Sequence, residues 1–227
     1  MRHMPMNLSH ESPMIDFAKF ESTPIPSRQF VSQSHFGAKV RGVYGILFDC
    51  GQLLLECSGW LEFDERFPVC MDGFDLLYVG ASLDPLRRRV LCHLTGNTRT
   101  SSLRMTVGAI LSRELELEPT GAGNRTCYDF GAGEARLTEW LVNHTRVGLI
   151  PTPNPFGLEK TILRDVPLPF NISERRRHPY SKFLMAVRAY FAGRPKVGFG
   201  LADFERLGSP PQGIIVESPV KTVGSFD

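Results

Sequence analysis

The sequence predicts a small mixed α/β (α+β) domain, with a mostly antiparallel central sheet flanked by helices. Three observations carry that expectation. The runs "GVYGILF" (42–48), "DLLYVGA" (75–81) and "TRVGLIP" (145–151) are short, apolar and β-rich, as strands are. Between and after them, apolar residues recur with the helical period. The chain has 227 residues, enough to bury one core of ordinary size.

Taken in order, residues 1–36 are rich in Ser, Pro, His and Met with little periodicity, and are expected to form a flexible N-terminal arm. The domain then occupies 37–192. Its first two strands are separated by residues 49–74, expected to project as an inserted loop because both flanks must still pair. Asp84 as N-cap and Pro85 at the first helical position open a helix through "LRRRVLCHL". "SSLRMTVGAILSREL" (101–115) reads as a second helix. "GAG" at 121–123 and again at 131–133 lacks a following Gly-Lys-Ser/Thr, so these glycines read as turns of the strand-like "NRTCYDF", not as a phosphate loop. Thr138 is expected to cap a short helix through Leu141. Asn154-Pro155 starts a helix that stops at Pro167, and 178–191 is a final amphipathic helix. The Gly- and Pro-rich residues 193–227 are expected to be a tail.

The formal net charge of +2 hides an uneven distribution. Residues 49–75 carry seven acids against the single base Arg66, whereas 87–104 carry Arg87, Arg88, Arg89, Arg99 and Arg104 and no acid. A second basic block follows Glu159 and includes Arg175, Arg176 and Arg177. Two basic blocks suggest an anionic partner such as nucleic acid; solvated faces are the alternative. The five cysteines form no Cys-x-x-Cys pair, which favours a reducing cytoplasm over a disulfide framework, and a metal would unite Cys50, Cys57 and Cys70 only by accident of folding. No apolar run is long enough for a membrane span.

Helical projection selects particular charged residues. In the helix after the second strand, Leu86, Val90 and Leu94 define the apolar stripe, Arg88 faces water, and Arg89 and His93 share one rim, four residues apart. A rim residue is held by packing and still reaches a ligand; the alternatives are a snorkelling arginine and a structural histidine. In 155–166, Glu159 projects into the arc of Leu158, Ile162, Leu163 and Val166. A carboxylate on a packed face requires a cation, either a basic side chain or a metal ion.

"GVY" (42–44), "YVG" (78–80), the arginine of "LRRRV", Glu159 and Asn171 of "PLPFN", in this order, resemble the GIY-YIG nuclease family. The resemblance covers roughly 40–172, and "NISERRRHPY" just past it is also similar to stand-alone bacterial members. It implies hydrolysis of a phosphodiester in nucleic acid, DNA ahead of RNA, with one divalent ion, Mg²⁺ or Mn²⁺, held by Glu159. It further implies Tyr44 as general base, Arg89 as donor to phosphate oxygens, Tyr78 and His93 as orienting groups and Asn171 as a brace. Arg87, Arg88, Arg99, Arg104, Arg175, Arg176 and Arg177 are the candidate nucleic-acid contacts. The chain departs from the pattern in the long interval between Tyr44 and Tyr78. A non-catalytic nucleic-acid-binding module on the same fold would keep the arginines but could dispense with Glu159, and a protein–protein adaptor using the acidic segment would need none of the five.

Overall fold

The structure, a computed structural model, describes residues 24–60, 63, 68–120 and 128–194. Its centre is a sheet of order β1-β5-β2-β4-β3 in which every pairing is antiparallel, as expected. The strands are β1 (Ile25–Pro26), β2 (Gly42–Phe48), β3 (Cys70–Met71), β4 (Phe74–Ser82) and β5 (Thr145–Pro151). The three long strands are those the apolar runs predict. β2, in the middle, is buried at all seven positions, which is why "GVYGILF" shows no polar alternation.

Alternation along β2 divides the core. Tyr44, Ile46 and Phe48 face the larger cluster, built with helices α1 (Ser27–Ser32), α2 (Gly51–Cys57), α3 (Leu86–Leu94), α4 (Ser102–Ile110), α5 (Gly133–His144) and α7 (Pro179–Phe191). Val43 and Leu47 face the smaller one, closed by α6 (Pro155–Asp165) through Ile162 and by Val166 and Leu168 beyond it. The sheet is therefore covered on both sides, and α6 lies on the side opposite α3.

Several boundaries differ from expectation for local reasons. Asp84 does not cap α3: Pro85 stands at the cap, and the first amides bond to backbone, Leu86 N to Val40 O at 2.8 Å and Arg87 N to Gly37 O at 3.1 Å. α5 begins at Gly133, so Thr138 sits inside it, where its hydroxyl accepts from the buried Arg104. α4 stops at Ile110 and continues as turns. By contrast, Asn154 accepts from Gly157 N as the N-cap before Pro155, as the sequence indicates, and His178 accepts from Tyr180 N in the same way before Pro179.

Two larger expectations are corrected. The loose arm is built into the fold from Ile25 on. β1 extends the sheet beside β5, Phe30 is fully buried, and Arg87 clamps α1 by donating to the carbonyls of Phe30, Val31 and Gln33 at 2.7–3.0 Å. The segment 49–74 is not a plain projecting loop. It contains α2 and the short β3, and Leu54, Leu55 and Trp60 are core residues. Trp60 stacks on His178 and meets Tyr180 edge-on, while the Tyr180 hydroxyl donates to Ser58 Oγ at 2.6 Å. The "GAG" at 121–123, residues 124–127 of the strand-like "NRTCYDF" (124–130) and the tail beyond Arg194 lie outside the described residues; of the rest, Asp129 forms an isolated antiparallel bridge with Thr120.

Candidate active site

The antiparallel register of β2 and β4 sets Tyr44 opposite Gly80 and Ile46 opposite Tyr78, so the two tyrosines lie on one face as diagonal neighbours, ring centroids 6.3 Å apart. Gly80 is required there: the Tyr44 ring and hydroxyl cross its Cα, and any Cβ would collide with them. Gly42 has φ 153°, and a Cβ would strike the Ile150 carbonyl of β5. These two glycines are close-approach positions, not chance strand ends.

α3 lies over this face and brings His93 between the tyrosines, 5.7 Å from Tyr44 and 5.1 Å from Tyr78 by ring centroid. His93 is fully buried, deeper than a rim position. Its Nε2 is 2.7 Å from the Tyr44 hydroxyl, and its Nδ1 is 2.7 Å from Ser101 Oγ. Burial first, then the charges of Arg89 and Arg104, push its pKa down to about 3, so the imidazole is neutral at physiological pH. Burial, reinforced by Tyr78, raises the Tyr44 phenol well above its ordinary value; Arg89 works against that rise. Tyr78 is raised by burial too, opposed by Ser102 and Arg89.

The opposite end of the site is built along the free edge of β4. Among the described residues β3 pairs only with Phe74 and Asp75, so from Leu76 on no described strand pairs with the outer edge of β4. Backbone groups that point to one edge recur every second residue, and here each is met from outside. Leu77 O accepts from Phe170 N at 3.1 Å. Val79 donates to Asn171 Oδ1 at 2.9 Å and accepts from Asn171 Nδ2 at 2.7 Å. The Ala81 N–H favours the charged form of Glu159. The side chain of Asn171 thus replaces one residue of a missing strand.

These elements enclose a cleft of about 190 Å³ lined by Tyr44, Tyr78, Gly80, Arg89, Glu159 and Asn171, together with Ala81, Ser102 and residues 170–174. Glu159 reaches it from α6, on the far side of the sheet, around the β4 edge. Burial and the neighbouring Glu174 raise its pKa, while the Ala81 N–H and Arg89 oppose them. It forms no ion pair within 4 Å among the described residues. A half-buried carboxylate in an open cleft, beside a second carboxylate and without a bonded cation, is a hard oxygen donor set that fits a divalent ion such as Mg²⁺ or Mn²⁺.

The basic residues separate into two groups. Arg88 is exposed and lines a recess with Arg89, Ser82 and Cys92, adjoining the cleft through Arg89. Arg176 and Arg177 are exposed, and Arg175 is half-buried. Arg99 is paired with Asp129 at 2.7 Å. Two of the candidate nucleic-acid contacts are corrected. Arg104 is fully buried and donates to Glu134 at 2.6 Å and to Leu94 O at 2.8 Å, and Arg87 holds α1. Spacing placed both in a basic block without showing which faces water.

Sequence reasoning missed Ser101 and Glu174. Ser101 also caps α4 by accepting from Arg104 N at 3.1 Å, a capping signal legible in "TSSL". Glu174, three residues after Asn171, had no periodic signal to mark it.

A family model, the GIY-YIG catalytic domain, matches residues 42–190, well over half of the chain. The match starts at the first motif glycine and ends within α7, enclosing every group that lines the cleft. The chain belongs to the GIY-YIG family, a family of nucleases that are typically dependent on a divalent metal. Comparison with curated proteins and with solved structures gave no significant match. No helix among the described residues is long and apolar enough to cross a membrane.

Proposed function

We propose that the protein is an endonuclease that hydrolyses phosphodiester bonds in DNA with a single divalent ion, Mg²⁺ or Mn²⁺. The observation that carries this reading is the convergence of Tyr44, Tyr78, Arg89, Glu159 and Asn171, from β2, β4, α3, α6 and the segment after α6, on one cleft. A binding module needs the basic residues but not Glu159 beside the tyrosines.

Glu159, with Glu174 near it, would hold the ion, which when bound offsets charge on the scissile phosphate and its leaving oxygen. Arg89 donates to non-bridging oxygens, where charge stays high as the bond breaks. Tyr44 takes the proton of the attacking water. Burial holds the free phenol neutral, and Arg89 with the charge of a bound ion would favour loss of its proton. His93, its pKa pushed down to about 3, stays neutral and does not keep that proton; its Nε2 can accept a hydrogen bond from the Tyr44 hydroxyl while Nδ1–H donates to Ser101, which orients the phenol oxygen toward the water. Tyr78 orients the pair, and Asn171 keeps β4 in register beneath them. The exposed Arg88, Arg176 and Arg177 bind flanking phosphates. The free thiols of Cys50, Cys70 and Cys92 support a cytoplasmic setting.

The test is cleavage of labelled DNA and RNA of several shapes with Mg²⁺ and then Mn²⁺. Glu159→Gln is expected to lose cleavage and keep nucleic-acid affinity. Arg89→Ala should lose about 10²–10³-fold in turnover, the range for removing one transition-state donor. Arg88→Ala should weaken binding only, lowering its salt dependence by about one counterion. Wild-type binding without any cut under either metal would favour the non-catalytic module.

A further inference from the structure

Asp49, Cys50 and His144 lie outside the cleft and take no part in the chemistry above. Asp49 and Cys50 follow the end of β2, where Cys50 stands at the cap of α2; His144 is the last residue of α5. The junction is already closed by backbone, Asp49 N donating to His144 O at 3.2 Å. One ligand atom from each of the three side chains lies within 4.8 Å of both others. The imidazole Nδ1 is 3.2 Å from Asp49 Oδ1, close to the edge of about 3.3 Å that metal bonds of roughly 2.0 Å give a tetrahedron. Trp140 lies against the imidazole with ring centroids 4.8 Å apart, which limits its rotation. The exposed Glu114 carboxylate adds negative potential at both Cys50 and His144, which favours a cation there.

We propose that Asp49, Cys50 and His144 form a structural site for a zinc-type divalent ion that clamps the end of β2 to the end of α5. Sulfur, imidazole nitrogen and a single carboxylate make a borderline-soft donor set, which selects Zn²⁺ over the hard ions suited to Glu159. The site stands roughly 16 Å along β2 from Tyr44, taking about 3.3 Å per residue, so it acts on the catalytic strand only through its anchorage. As the metal binds, the Cys50 thiol proton and the Nδ1 proton that His144 donates to Asp49 leave to solvent, the coordinated imidazole carrying its proton on Nε2, and Asp49 exchanges that hydrogen bond for coordination. Water completes the tetrahedron. The inference is independent of the nuclease reading, because none of these residues lines the cleft.

The test uses untagged, full-length protein stripped with chelator and titrated with Co²⁺ and with Zn²⁺. One equivalent of Co²⁺ is expected to produce the thiolate charge-transfer absorption and the intense visible bands of a tetrahedral complex. Cys50→Ser should lose the charge-transfer band, and Asp49→Asn and His144→Gln should each weaken Zn²⁺ at least tenfold. Zn²⁺ should raise the Tm of the wild type and not that of His144→Gln, which remains informative if Cys50→Ser fails to fold. Glu159→Gln should leave all these signals in place. The proposal is overturned if the band is absent at one equivalent, if it survives in both Cys50→Ser and His144→Gln, or if it vanishes in Glu159→Gln.

Discussion

His93 links two roles through burial. Held neutral by the apolar interior and two nearby arginines, it can accept from Tyr44, but it penalises folding in acid. Its native pKa lies below its unfolded value of about 6.5, so the native state binds fewer protons across the interval between them. The stabilisation is complete above pH ~6.5 and is lost as pH falls through the native pKa of about 3. Urea unfolding over this window should lose about 1.4 kcal/mol per pH unit from this group alone. His93→Gln should flatten that slope, and an unchanged slope would mean that carboxylates, not His93, set the acid limit. The same projection that selected Arg89 set His93 on a rim, although it is fully buried: α1 and the 37–40 segment cover the start of α3, and Ser101 lies against the imidazole. A single helix's periodicity carries no information about such neighbours.

At the scale of elements, the free edge of β4 organises the site. Leu77, Val79 and Ala81 present backbone groups to that edge, and Phe170, Asn171 and Glu159 meet them in order. The brace and the candidate metal ligand are therefore consequences of one unpaired strand. Asn171→Ala removes both bonds to Val79 and leaves a buried N–H and C=O exposed to each other's absence of partner. The expected cost is about 1–3 kcal/mol, with faster hydrogen exchange at the Val79 amide. Unchanged exchange at Val79 would show that the edge is held by other contacts. The acidic segment between β2 and β4 belongs to the same scale. Sequence suggested a projecting loop; packing makes it a wall, with Trp60 against α7. Trp60→Ala should cost about 3–5 kcal/mol by cavity formation, read as a lower urea midpoint. A change within 0.5 kcal/mol would return the segment to the status of an appended loop.

For the whole molecule, the segment before the family match is part of the fold's stability. Ser27 Oγ bonds Thr145 Oγ1 at 2.6 Å, Phe30 is enclosed, and Arg87 closes the carbonyl end of α1 from helix α3. Phe30→Ala should destabilise by about 3–5 kcal/mol, with Arg87→Ala non-additive on it because both hold α1 to α3. A double-mutant thermal-unfolding cycle measures this coupling; strict additivity would mean that α1 and α3 are held independently.

Local signals alone specify the three long strands, the cap of α6 and five members of the cleft, because period, capping chemistry and ordered motifs survive without coordinates. Glu159 was legible as a carboxylate on an apolar face, and Arg89 as a cation on a rim. Which arginines face water depends on long-range packing: Arg104 and Arg99 share a basic run, yet one is buried against Glu134 and the other reaches out to Asp129. Tertiary structure likewise decided that Trp60 is core, that Asn171 bonds the backbone of Val79, and that Cys50 meets His144 rather than another cysteine. Each of these depends on a partner distant in sequence, and pairing between distant segments is set by packing, which no local pattern encodes.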